Sequence, residues 1–428
     1  MKLLNIVSFA LLSLMGCSQP SINQKDVERV INYLASDKLR GREVFTPELD
    51  SAAKFIEQEF RQIGLDPMNN DGGYRQSFKL ISIGVDSSYV SLNQQKINPS
   101  DYFMQLDTSM VRWNDKSQIL IKTIGPEDDF RREFQSIFQN DDNLIVLVDT
   151  AHAKNFSLYR QYLSGPSNRL AIGKGRSLVA ILIPAVDPQQ FWIYGHAKVE
   201  EKPLANVVGK ITGKRTNEYV IFSGHYDHLG IRNPVKGDSI ANGANDDASG
   251  TTAVIELARY FRQLPPPERS LIFVAFTAEE TGGYGSKYFS QQLDPDQIIA
   301  MFNIEMIGKL SSKGKNTAWI TGWDKSDLGE MMARSGEKSG YVFFPDPYPE
   351  QNLFYRSDNA TLARLGVPAH SISTTQIDID KDYHQVTDEV STLDLDHLTN
   401  TIKAIAAGAS AIISGNQTPS RVDKASVH

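Results

Sequence analysis

The sequence predicts an α/β protein: a mixed, largely parallel sheet flanked by helices, with a β-rich module inserted into it. Three observations lead there. From residue 204 onward, short apolar runs rich in β-branched residues alternate with longer runs of helical periodicity. Between residues 81 and 200 that alternation gives way to short β-branched runs separated by turn residues. Clusters of histidines and carboxylates stand at or just after the later strand candidates, where open α/β sheets present their ligands.

Composition narrows the function classes. The 428 residues are 40% apolar and 22% charged, which excludes a disordered chain, a collagen and a coiled coil. A formal charge of −7 obliges no face to be basic, so no nucleic-acid partner is expected. The single cysteine, Cys17, leaves no thiol beyond it for a disulfide, a Cys-liganded zinc, an iron–sulfur cluster or a cysteine nucleophile. A metal site must be built from the eight histidines and the carboxylates.

At the N-terminus, Lys2 precedes 13 mostly apolar residues, 3–15, then Gly16 and Cys17. The run is too short for the ~20 residues of a spanning helix and suits a signal peptide. Gly16-Cys17 resembles a bacterial lipobox, which implies cleavage before Cys17, acylation of that residue, and export with a lipid anchor in a bacterial membrane. The polar residues 17–24 read as a tether. Residues 27–35 and 47–63 have helical periodicity; Thr46 before Pro47 suits a helix start and Gly64 a helix stop. Within the β-rich stretch, strands are expected at 89–92, 119–123, 144–148, 178–184 and 191–195, with no chemical constellation among them. Beyond it, strands are expected at 205–211, 219–223, 270–277, 298–307, 318–321 and 368–373. Helices are expected at 250–264, 283–292, 325–339, 357–365 and 395–413.

The chemistry lies in five clusters. These are Gly224-His225-Tyr226-Asp227-His228, Asn245-Asp246-Asp247-Ala248-Ser249-Gly250, Ala278-Glu279-Glu280, Asn303-Ile304-Glu305-Met306, and Tyr383-His384 with Asp388. Taken singly, a His-x-Asp is an ordinary surface pair, and Asp-Asp before a helix is an ordinary cap. Glu305 is different, because a carboxylate in an apolar run must be paired or coordinated. Without thiols, zinc takes imidazole and carboxylate ligands. Two ions about 3.5–4 Å apart are well served by a shared carboxylate, and a water between them loses a proton near neutral pH and becomes nucleophilic. A carboxylate that is not a ligand must take that proton and return it to the leaving amine. No His-Glu-x-x-His helix, Gly-x-Ser-x-Gly elbow, Walker loop or Gly-x-Gly-x-x-Gly is present.

The ordered set of motifs resembles the co-catalytic di-zinc aminopeptidase family, which also contains glutamate carboxypeptidase II, glutaminyl cyclase and the non-enzymatic transferrin receptor. The resemblance covers residues 204–413 and extends weakly to Leu39-Arg40-Gly41-Arg42. It implies two zinc ions: His225, Asp246 and Glu305 on one, Asp246 as the bridge, and Glu280 with His384 on the other. It makes Glu279 the general base and acid, Asp227 the residue that orients His225, and Asp388 a support for the His384 loop. Aminopeptidases of the family carry Asp where this chain has Glu305, and both offer carboxylate oxygens. Tyr355 stands in the stretch where an oxyanion-stabilising residue is sought. The implied organisation is signal peptide 1–16, tether 17–24, N-terminal helices of the catalytic domain 25–80, β-rich insert 81–200 in the place of a protease-associated domain, catalytic domain 201–415 and polar tail 416–428. The implied activity is removal of N-terminal residues from peptide substrates. The alternatives are a glutaminyl cyclase, which uses one zinc and tends to have Ser where this chain has Asp247, and a receptor-like non-enzymatic member.

Overall fold

The computed structural model describes residues 20–68, 72–138, 142–173, 176–184 and 188–427. Cys17 and the signal-like segment lie outside the described residues. No described helix is long and apolar enough to cross a membrane.

The large sheet contains β1 (Arg75–Leu92), β2 (Phe191–Ile211), β3 (Arg215–His225), β4 (Arg269–Phe276), β5 (Ile298–Ile304), β6 (Thr317–Ile320), β7 (Val342–Pro345) and β8 (Ala369–Ser373). Their spatial order is β7-β6-β8-β5-β3-β4-β2-β1. The central β8, β5, β3 and β4 run parallel. Antiparallel pairings of β2 with β4, of β1 with β2, and of β6 with β8 make the sheet mixed.

Two of the central strands carry continuous apolar runs, residues 271–276 in β4 and 298–302 in β5, because both faces are covered there. In β4, Leu271, Phe273 and Ala275 pack into one layer and Ile272, Val274 and Phe276 into the other. The first layer is closed by α1 (Gln24–Leu34), α2 (Pro47–Ile63), α3 (Ser249–Arg262), α5 (Leu328–Glu337) and α7 (Leu395–Ile413). The second is closed by α4 (Tyr284–Ser290), α6 (Asn359–Ala363) and the C-terminal Val422 and Val427. Helix α2 starts and stops on local chemistry: Thr46 Oγ1 accepts the Leu49 N–H at 3.3 Å, and Gly64 closes the helix at φ 79°.

The stretch expected as a β-rich insert grows out of the large sheet rather than hanging from a linker. Strands β1 and β2 stay paired from Arg75 opposite Val207 to Leu92 opposite Phe191, interrupted by a bulge at His196/Ala197. Their far ends cover one face of a second sheet, ordered Tyr102–Gln105, Leu178–Leu182, Leu144–Val148, Leu120–Ile124. Two helices that the sequence reading omitted, Phe130–Ile137 and Ala153–Leu163, cover the other face through Phe134 and Phe156. Their apolar stripes are short, so tertiary packing rather than a long periodic pattern stabilises them.

Candidate metal centre

The clusters converge on one edge of the sheet because parallel strands end side by side there. His225 is the last residue of β3, Glu279 and Glu280 follow β4, and Glu305 follows β5. Asp246 lies in the turn that opens α3, and His384 on the loop after β8. The turn must pass close beneath β5: a Cβ on Gly250 would stand 2.1 Å from the Ile304 carbonyl oxygen. His225, Asp246, Glu279, Glu280, Glu305 and His384 all line one cleft.

The buried Asp246 faces two histidines with its two oxygens. Oδ1 lies 3.2 Å from His225 Nε2, which also has Glu305 Oε1 at 3.5 Å. Oδ2 lies 3.3 Å from His384 Nε2, which has Glu280 Oε2 at 3.2 Å. The donor atoms of His225, Asp246 and Glu305 all lie within 4.8 Å of one another, as do those of His228, Asp246 and Glu280.

Behind these donors, buried carboxylates hold backbone rather than metal-facing side chains. Asp247 accepts the N–H groups of His225, Gly250 and Met306. Asp227 accepts those of Glu279 at 3.1 Å and Glu280 at 3.3 Å. The expected orientation of His225 by Asp227 therefore takes another form: Nδ1 lies 3.1 Å from the Asp227 backbone carbonyl, and the carboxylate is 3.8 Å away. Asp388 likewise accepts the N–H groups of Asn245 and Asp246, which ties the loop carrying His384 to the Asp246 turn. Arg42, fully buried, donates to the carbonyls of Tyr226, Asn242 and Gly243, which tie the His225 segment to the Asp246 turn. The Lys309 ammonium pairs with Asp380 at 2.7 Å and Asp382 at 2.8 Å on the loop leading to His384.

Ala278 (φ 58°), Met306 (φ 54°) and His384 (φ 59°) take left-handed backbone conformations next to the donors. At Ala278 this turn brings the neighbouring Glu279 and Glu280 to the same cleft, where an extended segment would send them apart. Ser357 Oγ donates to Glu305 Oε2 at 2.7 Å. Tyr355 turns away, its hydroxyl reaching the Ser426 carbonyl at 3.3 Å, while Arg356 and Tyr383 line the cleft. Sequence reasoning missed Asp247, His228 and Ser357 as supports. Asp247 and His228 stand within the motif clusters and Ser357 outside them, and position along the chain says nothing about the group each would reach.

The site holds a surplus of buried negative charge. Burial pushes Glu279 well above the usual carboxylate range, and Asp227 and Asp388 up to about 6. Burial opposes the charged form of His384, but Asp246 and Glu280 outweigh it and raise the imidazole to about 10. Arg356 supplies the lysine or arginine charge among the described lining residues, and it reaches Gln351 rather than a carboxylate. Imidazoles and carboxylates crowded together with too little positive charge fit divalent cations, and the absence of thiols is compatible with zinc.

Comparison with known proteins agrees with this chemistry. Residues 206–409 match the family model described as Peptidase family M28. A probable zinc metalloprotease of Pyrenophora teres f. teres (strain 0-1) is 37% identical over 108 residues, covering 24% of this chain and 22% of that protein. Aminopeptidase YwaD of Bacillus subtilis (strain 168) is 27% identical over 143 residues, covering 32% of this chain and 26% of that protein. These matches thus span about a quarter of the length of the curated relatives. Among solved structures, an aminopeptidase from Aneurinibacillus sp. strain AM-1 superposes with a TM-score of 0.55 at 19% identity, covering 95% of this chain and 96% of that one. A zinc aminopeptidase from Bacillus subtilis gives 0.56 at 16% identity, covering 96% and 100%. With the fold of these structures and the family match over its central strands and donor residues, the chain carries a domain of peptidase family M28 across residues 206–409.

Proposed function

We propose that the protein is a zinc-dependent aminopeptidase that removes N-terminal residues from peptides, using two ions that share Asp246. The observation that carries this reading is the opposed placement of the Asp246 oxygens toward His225 and His384. His225 and Glu305 complete one donor set, and Glu280 with His384 the other. Zinc bound there supplies Lewis acidity to the attacking water and to the scissile carbonyl. Glu279, whose carboxylate lines the cleft without a hydrogen-bond partner among the described residues, takes a proton from the attacking water and returns it to the leaving amine as the C–N bond breaks. The Tyr383 hydroxyl and the Arg356 guanidinium line the cleft and are donors suited to charge developing on the carbonyl oxygen. The names of the relatives support peptide substrates and zinc.

The reading extends to location. The Gly16-Cys17 step after an apolar run supports export and lipid anchoring to a bacterial membrane. Cys17→Ala should leave hydrolysis intact and release the protein from membranes; salt-resistant membrane recovery of that variant would count against the anchor.

The test of function combines metal analysis with a panel of aminoacyl amides and N-terminal glutamine substrates. Close to two zinc ions per chain, with amide hydrolysis abolished by chelator and restored by zinc, is the expected result. A single ion with cyclisation of N-terminal glutamine would replace the peptidase reading by a cyclase. Bound metal without turnover on any substrate would indicate a receptor-like protein.

A further inference from the structure

His228 is not among the ligands assigned above, yet its setting is specific. The imidazole is fully buried, and Nδ1 lies 2.7 Å from Glu280 Oε1. A carboxylate only accepts, so Nδ1 carries the proton and donates it. The other Glu280 oxygen, Oε2, faces His384 at 3.2 Å. Glu280 is thus divided between two histidines, one oxygen to each. The His228 ring has no freedom to leave: a Cβ on Gly243, itself at φ 56°, would stand 2.5 Å from ring atoms Cγ and Cδ2. The backbone is pinned as well, its N–H donating to the Arg42 carbonyl at 3.2 Å. Nε2 is buried without a partner among the described residues, where the hydrogen bond to Glu280 is the one polar contact that the ring makes.

We propose that His228 is a positioning residue for the ion held by Glu280 and His384: it occupies Oε1 of Glu280 and leaves Oε2 directed at the metal. The proposal rests on the two-ion reading above. A ligating carboxylate whose second oxygen is hydrogen-bonded to a rigid donor pays less orientational entropy when metal binds, and loss of such an outer partner typically costs about 10–100-fold in metal affinity. The effect belongs to one ion, because Glu280 faces His384 and not His225.

The experiment measures zinc affinity of the full-length protein by competition with a chelator, with Glu280→Gln marking which binding step belongs to that site. His228→Leu removes the donor and keeps a similar volume. His228→Asn keeps an amide N–H near the position of Nδ1. The leucine variant should weaken the marked step about 10–100-fold and leave the other step unchanged. The asparagine variant should recover most of that loss. Should the leucine variant fail to fold, His228→Gln, whose amide reaches past the Nδ1 position, takes its place with the same expectation. No weakening, weakening of both steps, or equal loss in the asparagine and leucine variants would overturn the proposal, the last because it would mean ring packing or direct ligation. A wild-type protein with a single binding step would overturn the two-ion reading and this inference with it, whereas two wild-type steps unaffected by His228 would overturn this inference alone.

Discussion

Asp247 accepts the backbone N–H of His225 at 3.0 Å through Oδ2, a contact across 22 residues that fixes the end of β3 to the turn opening α3. Its Oδ1 accepts the N–H groups of Gly250 and Met306, each at 3.1 Å. One buried carboxylate therefore sets the spacing between the segments that carry His225, Asp246 and Glu305. Asp247→Ala would strand three buried donors at roughly 1–3 kcal/mol each. Thermal unfolding in the presence of chelator should show a marked fall in melting temperature, with a smaller fall for Asp247→Asn, whose amide oxygen still accepts. A melting temperature equal to that of the wild type in the alanine variant would show that Asp247 does not hold these segments.

Because Asp246 serves both donor sets, Asp246→Ala should lose both ions. His384→Ala should lose mainly the ion shared with Glu280 and keep the one at His225 and Glu305. Metal content after dialysis distinguishes them. Equal retention in the two variants would remove the bridging role from Asp246.

Glu279 and Glu280 are adjacent, yet only Glu280 lies within reach of His228 and His384. Glu279→Gln should keep its zinc and its fold while turnover falls about 10²–10⁴-fold, with a smaller effect on substrate binding. Glu280→Gln should lose metal, since a neutral amide is the poorer ligand. Zinc content and turnover measured side by side decide the assignment; near-normal turnover in Glu279→Gln would reverse it.

Away from the cleft, burial pushes the Glu256 carboxyl from 4.5 up to about 7, against the pull of Arg259, whose Nε lies 3.3 Å away. The folded protein binds this proton more tightly than the unfolded chain. Stability contributed by the protonated form is present below pH 4.5 and is lost as pH rises through the window from 4.5 to about 7. Glu256→Gln removes that loss. Its stability relative to the wild type, from urea unfolding, should therefore increase between pH 4.5 and pH 8, by at most about 3 kcal/mol. A difference that stays constant with pH would mean that Glu256 remains ionised in the fold.

What the sequence determined by itself was local or periodic. Helices α2 and α7 were expected at 47–63 and 395–413, and both are observed as Pro47–Ile63 and Leu395–Ile413, because caps and apolar spacing are written into neighbouring residues. The parallel centre was legible because strand segments covered on both faces, such as residues 271–276, are apolar. His225, Asp246, Glu279, Glu280 and Glu305 were legible too, since each stands at or just past a strand end or at a helix start. Contacts between distant segments were decided by the tertiary structure. Only the closed sheet edge turns Asp246 toward the histidines and its neighbour Asp247 toward backbone, and only there does Asp388 reach across 142 residues to the Asp246 N–H. It likewise recruits His228 to Glu280 and packs the two short helices of the second sheet. The physical reason is that periodicity records which side of an element avoids water, whereas a buried carboxylate or imidazole takes whichever donor or acceptor the assembled fold places within about 3 Å.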